Sequence, residues 1–178
     1  MNIQDFLRTV YLSMEHYTDW DKMGRAVNRI ELCNGTVYLL GNGASASIAA
    51  HTATDLTKMC KVPAMTFHDP NLMTCFVNDY GDKYWMRECV KQFTFADDLL
   101  ILISSSGESQ NVLYAADAAL EKHMDVITLS GFKPNNKLRV CGDVNLWVNS
   151  DEYNVVEAVH WCWLAAIIDD IRGRNEEG

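Results

Sequence analysis

Apolar residues recur along this chain in two periods. Between residues 3 and 17, Ile3, Phe6, Leu7, Val10, Tyr11, Met14 and Tyr17 fall at helical spacing. Met23, Ala26, Val27, Ile30 and Leu32 do the same between Trp20 and Cys33, and Asn34-Gly35 supplies a helix stop. From Thr36 the pattern changes to short apolar runs alternating with longer helix-compatible segments. Runs at Thr36–Leu40, Ala64–Phe67, Leu99–Ile103, Val126–Leu129 and Val144–Val148 predict about five strands. Segments at 46–59, Leu72–Val77, about Lys83–Phe93, Ser109–Lys122 and about Val155–Ile171 predict the helices between and after them. Strands alternating with helices predict an α/β domain, its parallel sheet covered on both faces through right-handed crossovers. Two helices precede the first strand, so the chain does not start as a minimal nucleotide-binding unit. A helical pair (1–34), an α/β core (35–172) and a polar tail (173–178), whose GRNEEG sequence predicts fraying, make up one domain.

Composition narrows the partners. With 178 residues the chain fits one domain with a substantial core, and a 48% hydrophobic fraction excludes a disordered one. A formal net charge of −9 argues against a nucleic-acid partner. No apolar run reaches membrane-spanning length, and the amphipathic, acid-containing N-terminus does not read as a signal peptide. Cys33, Cys60, Cys75, Cys89, Cys141 and Cys162 are scattered with no CxxC pair, so they are expected as reduced thiols in a cytoplasmic protein with no membrane partner.

Candidate chemistry lies at two strand-to-helix turns. At Gly41-Asn42-Gly43-Ala44-Ser45 the glycines allow close approach to the main chain, and the helix that follows points free N–H groups at the turn. His51 and Asp55, four apart, share a face of that helix. The second turn, Ser104-Ser105-Ser106-Gly107-Glu108-Ser109, can surround a phosphate with hydroxyls and amides and no Lys or Arg. Together they predict a site for a phosphorylated or otherwise anionic small molecule. GNGASA also meets the dinucleotide pattern G-x-G-x-x-G/A, with Asp69 as a candidate ribose acid. The two leading helices and the hydroxyl-rich turn count against that reading, and no nucleotide cofactor is expected. A Walker P-loop is excluded, since no Gly-Lys-Ser/Thr follows.

GNGASA, HTATDL, FVNDYG, ISSSGES and VITLSG, in this order and spacing, resemble the sugar isomerase (SIS) domain family, and within it the phosphoheptose isomerase branch. The resemblance covers nearly the whole chain. It implies a three-layer α-β-α fold with a five-stranded parallel sheet, a homotetramer, and active sites between subunits. It implies sugar-phosphate contacts from Ser45, Asn78, Asp79, Ser104, Ser105, Ser106 and Ser109; Asn42, Gly43 and Asn154 complete the candidate ligand set.

Aldose–ketose isomerisation moves a proton between neighbouring carbons through an enediol, which needs a base and a group polarising the oxygen. The family's helix carries His-x-x-x-Glu where this chain has His51 and Asp55, a carboxylate one methylene shorter. The family's last helix carries a glutamine and, two turns later, a histidine; the matching positions are Glu157 and Ala165. His51, Asp55 and Glu157 are the candidate catalytic groups and, together, a candidate three-ligand Zn2+ site. His160 is read as an interface or hydrogen-bonded core histidine outside that set. Two functions from different classes follow: a phosphosugar aldose–ketose isomerase acting on sedoheptulose 7-phosphate or a close relative, and a non-catalytic phosphosugar-binding or regulatory protein of the initiator-associating type.

Overall fold

The computed structural model describes residues 1–177. Two helices, α1 (Ile3–Tyr17) and α2 (Trp20–Glu31), come first. Each starts on a side-chain cap: Asn2 Oδ1 accepts from the Asp5 amide at 2.9 Å and Asp19 Oδ1 from that of Lys22 at 3.1 Å. The alternating part follows as β1 (Val37–Gly41), α3 (Ala44–Met59), β2 (Ala64–Met65), α4 (Pro70–Tyr80), α5 (Trp85–Phe93), β3 (Leu99–Ser104), α6 (Gln110–Glu121), β4 (Asp125–Ser130), a 3-10 turn at Leu138–Val140, β5 (Val144–Trp147) and α7 (Tyr153–Glu177). The five strands are parallel, in the order β2-β1-β3-β4-β5.

The period of two in the strands sorts side chains between two cores. Leu39, Ile101, Ile103, Ile127 and Leu129 face the layer built from α1, α2, α3 and α7, beside Val27, Ile48, Leu56, Val156 and Ile167. Tyr38, Leu40, Leu100, Leu102 and Val126 face the other layer, where Met86, Val90, Val112 and Ala116 of α5 and α6 meet them. Burying one such side chain contributes about 1.5–3 kcal/mol. The three-layer architecture matches the expected one.

α4 is longer than its apolar segment, spanning Pro70–Tyr80, and two further boundaries differ for visible reasons. β2 is only two residues long, because Thr66 and Phe67 leave the ladder before α4. The tail expected to fray is helical through Glu177: Arg174 reaches back to Asp170, Asn28 and Glu31 (2.9–3.1 Å), and the Asn175 amide donates to the Cys60 carbonyl at 3.0 Å. Tertiary anchors override the weak helix propensity of this stretch. Gly178, its last residue, lies outside the described residues.

His160 of α7 is fully buried in the core. Its Nε2–H donates to the Ser130 carbonyl at 3.1 Å, while Nδ1 is buried with no partner among the described residues. Burial pushes its pKa down from 6.5 to about 4, with the Ser130 hydrogen bond opposing. The unfolded chain therefore takes up a proton near pH 6.5 that the folded one refuses until about pH 4. This contribution to stability is complete above pH 6.5 and is lost as pH falls, by about 1.4 kcal/mol per pH unit. His160→Gln keeps a donor for Ser130 and removes the titration. Chemical denaturation from pH 7 to 4.5 should show a shallower pH dependence for the variant; equal slopes would mean that His160 does not govern this loss.

Candidate functional site

The strand order reverses between β1 and β3, and both special turns sit at the carboxyl ends of these neighbours. After β1 the chain folds back so closely that a β-carbon on Gly41 would lie 2.7 Å from Cβ of Ser45 and 2.8 Å from its carbonyl carbon, so only glycine fits. Gly43 follows with φ +55° and opens α3. The amides of Ala44 and Ser45, in the first turn of α3, have no helical carbonyl behind them and face the crevice with the positive end of the helix dipole.

After β3 the serine turn is held by its own polar groups. Ser104 Oγ donates to Ser109 Oγ at 3.2 Å, the Gly107 amide to the Ser104 carbonyl at 3.0 Å, and the Glu108 amide to Ser106 Oγ at 3.3 Å. Ser109 precedes α6 without capping it, so its hydroxyl belongs to the turn. Glu108 points outward: Lys137 binds its carboxylate through Nζ at 2.8 Å and the backbone amide at 3.1 Å. The side-chain hydrogen bond from Lys137 holds the Glu108 carboxyl below the usual carboxylate range. The two turns are locked together by a reciprocal amide pair, Asn42 Nδ2 to Asn111 Oδ1 and Asn111 Nδ2 to Asn42 Oδ1, each 2.9 Å.

Between the turns lies a cavity of about 290 Å³, walled by Asn42, Gly43, Ser45, Ser104, Ser105, Ser106, Ser109 and Ile103, and closed by Tyr153 and Glu157 of α7. No lysine or arginine lines it, so an anion there meets hydroxyls, amides and helix starts. Its one carboxylate is Glu157, half-buried, with the Ser105 hydroxyl at a long 3.5 Å from Oε1.

Several expected residues lie elsewhere. Asn78 and Asp79, at the end of α4, are exposed, hydrogen-bonded to each other at 2.9 Å and outside the cavity walls. Asn154 is exposed, and Tyr153 takes the wall position instead: Tyr153 and Glu157 share a face at i, i+4, whereas Asn154 is about 100° further round. His51 and Asp55 pair with each other, Nε2 to Oδ2 at 3.1 Å, and the His51 ring stacks on Trp161 at 4.8 Å. They sit about 9 and 15 Å along α3 from Ser45, outside the walls of the cavity. Among the described residues no three His, Cys, Asp or Glu side chains converge to hold a metal, so His51, Asp55 and Glu157 do not form the expected zinc set within one chain. Asp69 caps α4 through Oδ1, accepting from the amides of Asn71 and Leu72 at 3.0 Å each, which occupies the candidate ribose acid. His68 carries no sequence signal, yet its Nε2–H donates to the Gly41 carbonyl at 2.9 Å and braces the first turn; burial lowers its pKa.

The fold and this crevice define a class: doubly wound α/β proteins with a crevice at the switch point between two helix starts. The SIS domain model matches residues 14–131, and the chain belongs to the SIS domain family. A Helicobacter pylori phosphoheptose isomerase is 33% identical over 77% of this chain and 74% of its own length. A Cytophaga hutchinsonii phosphoheptose isomerase is 37% identical over 62% of this chain and 60% of its own. The solved phosphoheptose isomerase of Neisseria gonorrhoeae superposes with a TM-score of 0.84 at 27% identity, covering 94% of each chain.

The turn geometry gives a direct test. In Ser106→Ala with Ser109→Ala, affinity for inorganic phosphate should fall about tenfold or more, because charge-assisted hydrogen bonds contribute about 1.5–3 kcal/mol. Thermal stability should fall only modestly, since the variant loses two turn hydrogen bonds, Ser104–Ser109 and Glu108–Ser106, and no core packing. Unaltered phosphate affinity with a large drop in melting temperature would make the turn structural.

Proposed function

We propose that this chain is a phosphosugar aldose–ketose isomerase, interconverting sedoheptulose 7-phosphate and glycero-manno-heptose 7-phosphate, or a close relative, through an enediol. The carrying observation is the cavity itself, in which a cation-free serine turn faces a single carboxylate, Glu157. The relatives named phosphoheptose isomerase support the choice of substrate. With the phosphate on the serines, the sugar chain runs toward α7. Glu157 takes the proton from the carbon beside the carbonyl, the C–H electron pair forms the enediol double bond, and the carbonyl oxygen accepts a proton. Returning the proton from Glu157 to the neighbouring carbon, with release of one from the new carbonyl oxygen, completes the exchange. Ser105, against Glu157, orients its carboxylate.

Association supports a fuller site. α1 exposes Ile3, Leu7 and Tyr11 at i, i+4, i+8, with Trp20 beyond it and Trp161 on α7. Covering these surfaces in a homotetramer would bring a second chain's groups toward a cavity that here holds one acid. Six free cysteines, none in a disulfide, support a cytoplasmic setting. Among the described residues a zinc ion finds no three-ligand set, and no step is assigned to it. The second reading, a non-catalytic phosphosugar-binding protein of the initiator-associating type, is favoured by one observation: His51 and Asp55 lie outside the cavity.

Proton wash-in from D₂O separates the two. Sedoheptulose 7-phosphate should gain solvent deuterium with wild-type protein, and Glu157→Gln should slow this by about two orders of magnitude, the scale of general base catalysis, with little change in affinity. A comparable loss in Asp55→Asn would bring the α3 pair into the chemistry through assembly. Binding without exchange leaves the non-catalytic reading standing. Light scattering at micromolar concentration should give an assembled mass; a monomer would remove the support for sites shared between subunits.

A further inference from the structure

On the α7 side of the cavity, opposite the two turns, one aromatic side chain stands beside Glu157. Tyr153, the first residue of α7, lines the cavity and is 58% exposed. Its ring meets Phe132 edge-on, centroids 4.8 Å apart at 70°. Phe132 stands in the loop after β4 with φ +55°, a left-handed backbone that a bulky residue adopts only when its surroundings force it. Those surroundings are visible. The Phe132 amide donates to the Ser150 carbonyl at 2.8 Å, which fixes the approach to α7. The preceding Gly131 amide donates to the Ser105 carbonyl at 2.9 Å, which fixes the same loop to the serine turn. The Gly131 carbonyl in turn accepts from Asn136 Nδ2 at 3.0 Å and Trp147 Nε1 at 3.2 Å. Phe132 is thus pinned from both sides of the cavity, and its ring sets the attitude of Tyr153.

We infer that Tyr153 is the substrate-contacting wall that selects for the carbon chain of the sugar, with Phe132 as its positioning residue. The inference rests on the phosphosugar reading of this cavity. Tyr153 and Glu157 line the same cavity one helical turn, about 6 Å, apart on α7, so a sugar phosphate held at the serines beside Glu157 can lay its carbon chain along Tyr153. An aromatic face there packs against the C–H face of a polyol chain, burying area that a bare phosphate does not offer. The serine turn grips the phosphate of any sugar alike, whereas the aromatic wall rewards chain length.

Calorimetric titration with sedoheptulose 7-phosphate, a three-carbon sugar phosphate and inorganic phosphate tests this without requiring turnover. Tyr153→Ala should weaken the heptose phosphate at least tenfold and leave inorganic phosphate within twofold, while Tyr153→Phe stays within threefold of wild type. Phe132→Leu keeps an apolar side chain against the core and removes the ring that meets Tyr153, so it should weaken the heptose phosphate severalfold with phosphate unchanged. Equal binding of the heptose phosphate by Tyr153→Ala and wild type would overturn the inference. So would a parallel loss of phosphate affinity, which would make Tyr153 a support of the serine turn. If wild-type protein binds the sugars but exchanges no proton, the isomerase chemistry fails while the Tyr153 wall is still decided by the same titrations. If it binds none of the sugars, the phosphosugar reading and the inference fall together.

Discussion

The adjacency of β1 and β3 is the constraint on which the ligand end of this molecule depends. A right-handed crossover from β1 to β2 carries α3 to one face of the sheet, and one from β3 to β4 in the opposite direction along the sheet carries α6 to the other. Neighbouring strands therefore send their helices apart, and a crevice opens between two helix starts. The Asn42–Asn111 amide pair spans that divergence. Anchoring each turn to the other keeps two sets of free amides aimed at one volume. A single helix start holds an anion weakly; two converging starts and a row of hydroxyls act without the entropy loss of ordering long cationic side chains.

This arrangement also accounts for the charge of the protein. A lysine or arginine in the cavity would lie beside Glu157 and lower the energy of its ionised form, which the proposed isomerase role as base would not tolerate. The only acid in the serine turn, Glu108, is neutralised on the outside by Lys137, so its charge does not oppose an incoming phosphate. Net charge of −9 and an anion site are thus compatible, because the field that matters is local.

What was legible in the sequence was what depends on short-range periodicity. The strands, the order of the helices and both turns follow from apolar spacing and from glycine and serine placed where a strand gives way to a helix. Boundaries set by distant contacts were not legible. α7 extends through Glu177 because Arg174 and Asn175 find partners on α2 and at the end of α3. The ends of α3 and α6, at Met59 and Glu121, were by contrast readable to within a residue, although the left-handed residues that follow them, Lys61 and His123, are not glycines. In the site, the serines and Glu157 were readable because their residue types announce hydrogen bonding or a buried charge. Tyr153 and Phe132 were not: an aromatic residue at a loop edge is ordinary until the fold brings Ser105, Ser150 and α7 together around it.

The α3 pair shows what helical spacing fixes and what it leaves open. Helical spacing places His51 and Asp55 on a common face, and the structure joins them at 3.1 Å, but helix spacing does not say which way that face looks. It looks outward, beside Trp161, and the side chain of His51 is 55% exposed. An imidazole held by a carboxylate on one edge and an indole on one face has already lost most of its rotational freedom. An isolated surface histidine gains little from such restraint, since water satisfies it in many orientations. The restraint becomes useful when another surface arrives and requires a hydrogen bond in one direction. The aspartate, one methylene shorter than a glutamate, keeps the pair close to its helix and leaves the space beyond it open to that second surface. The same geometry that removes His51 and Asp55 from the cavity leaves the pair at the surface, ordered by its own contacts.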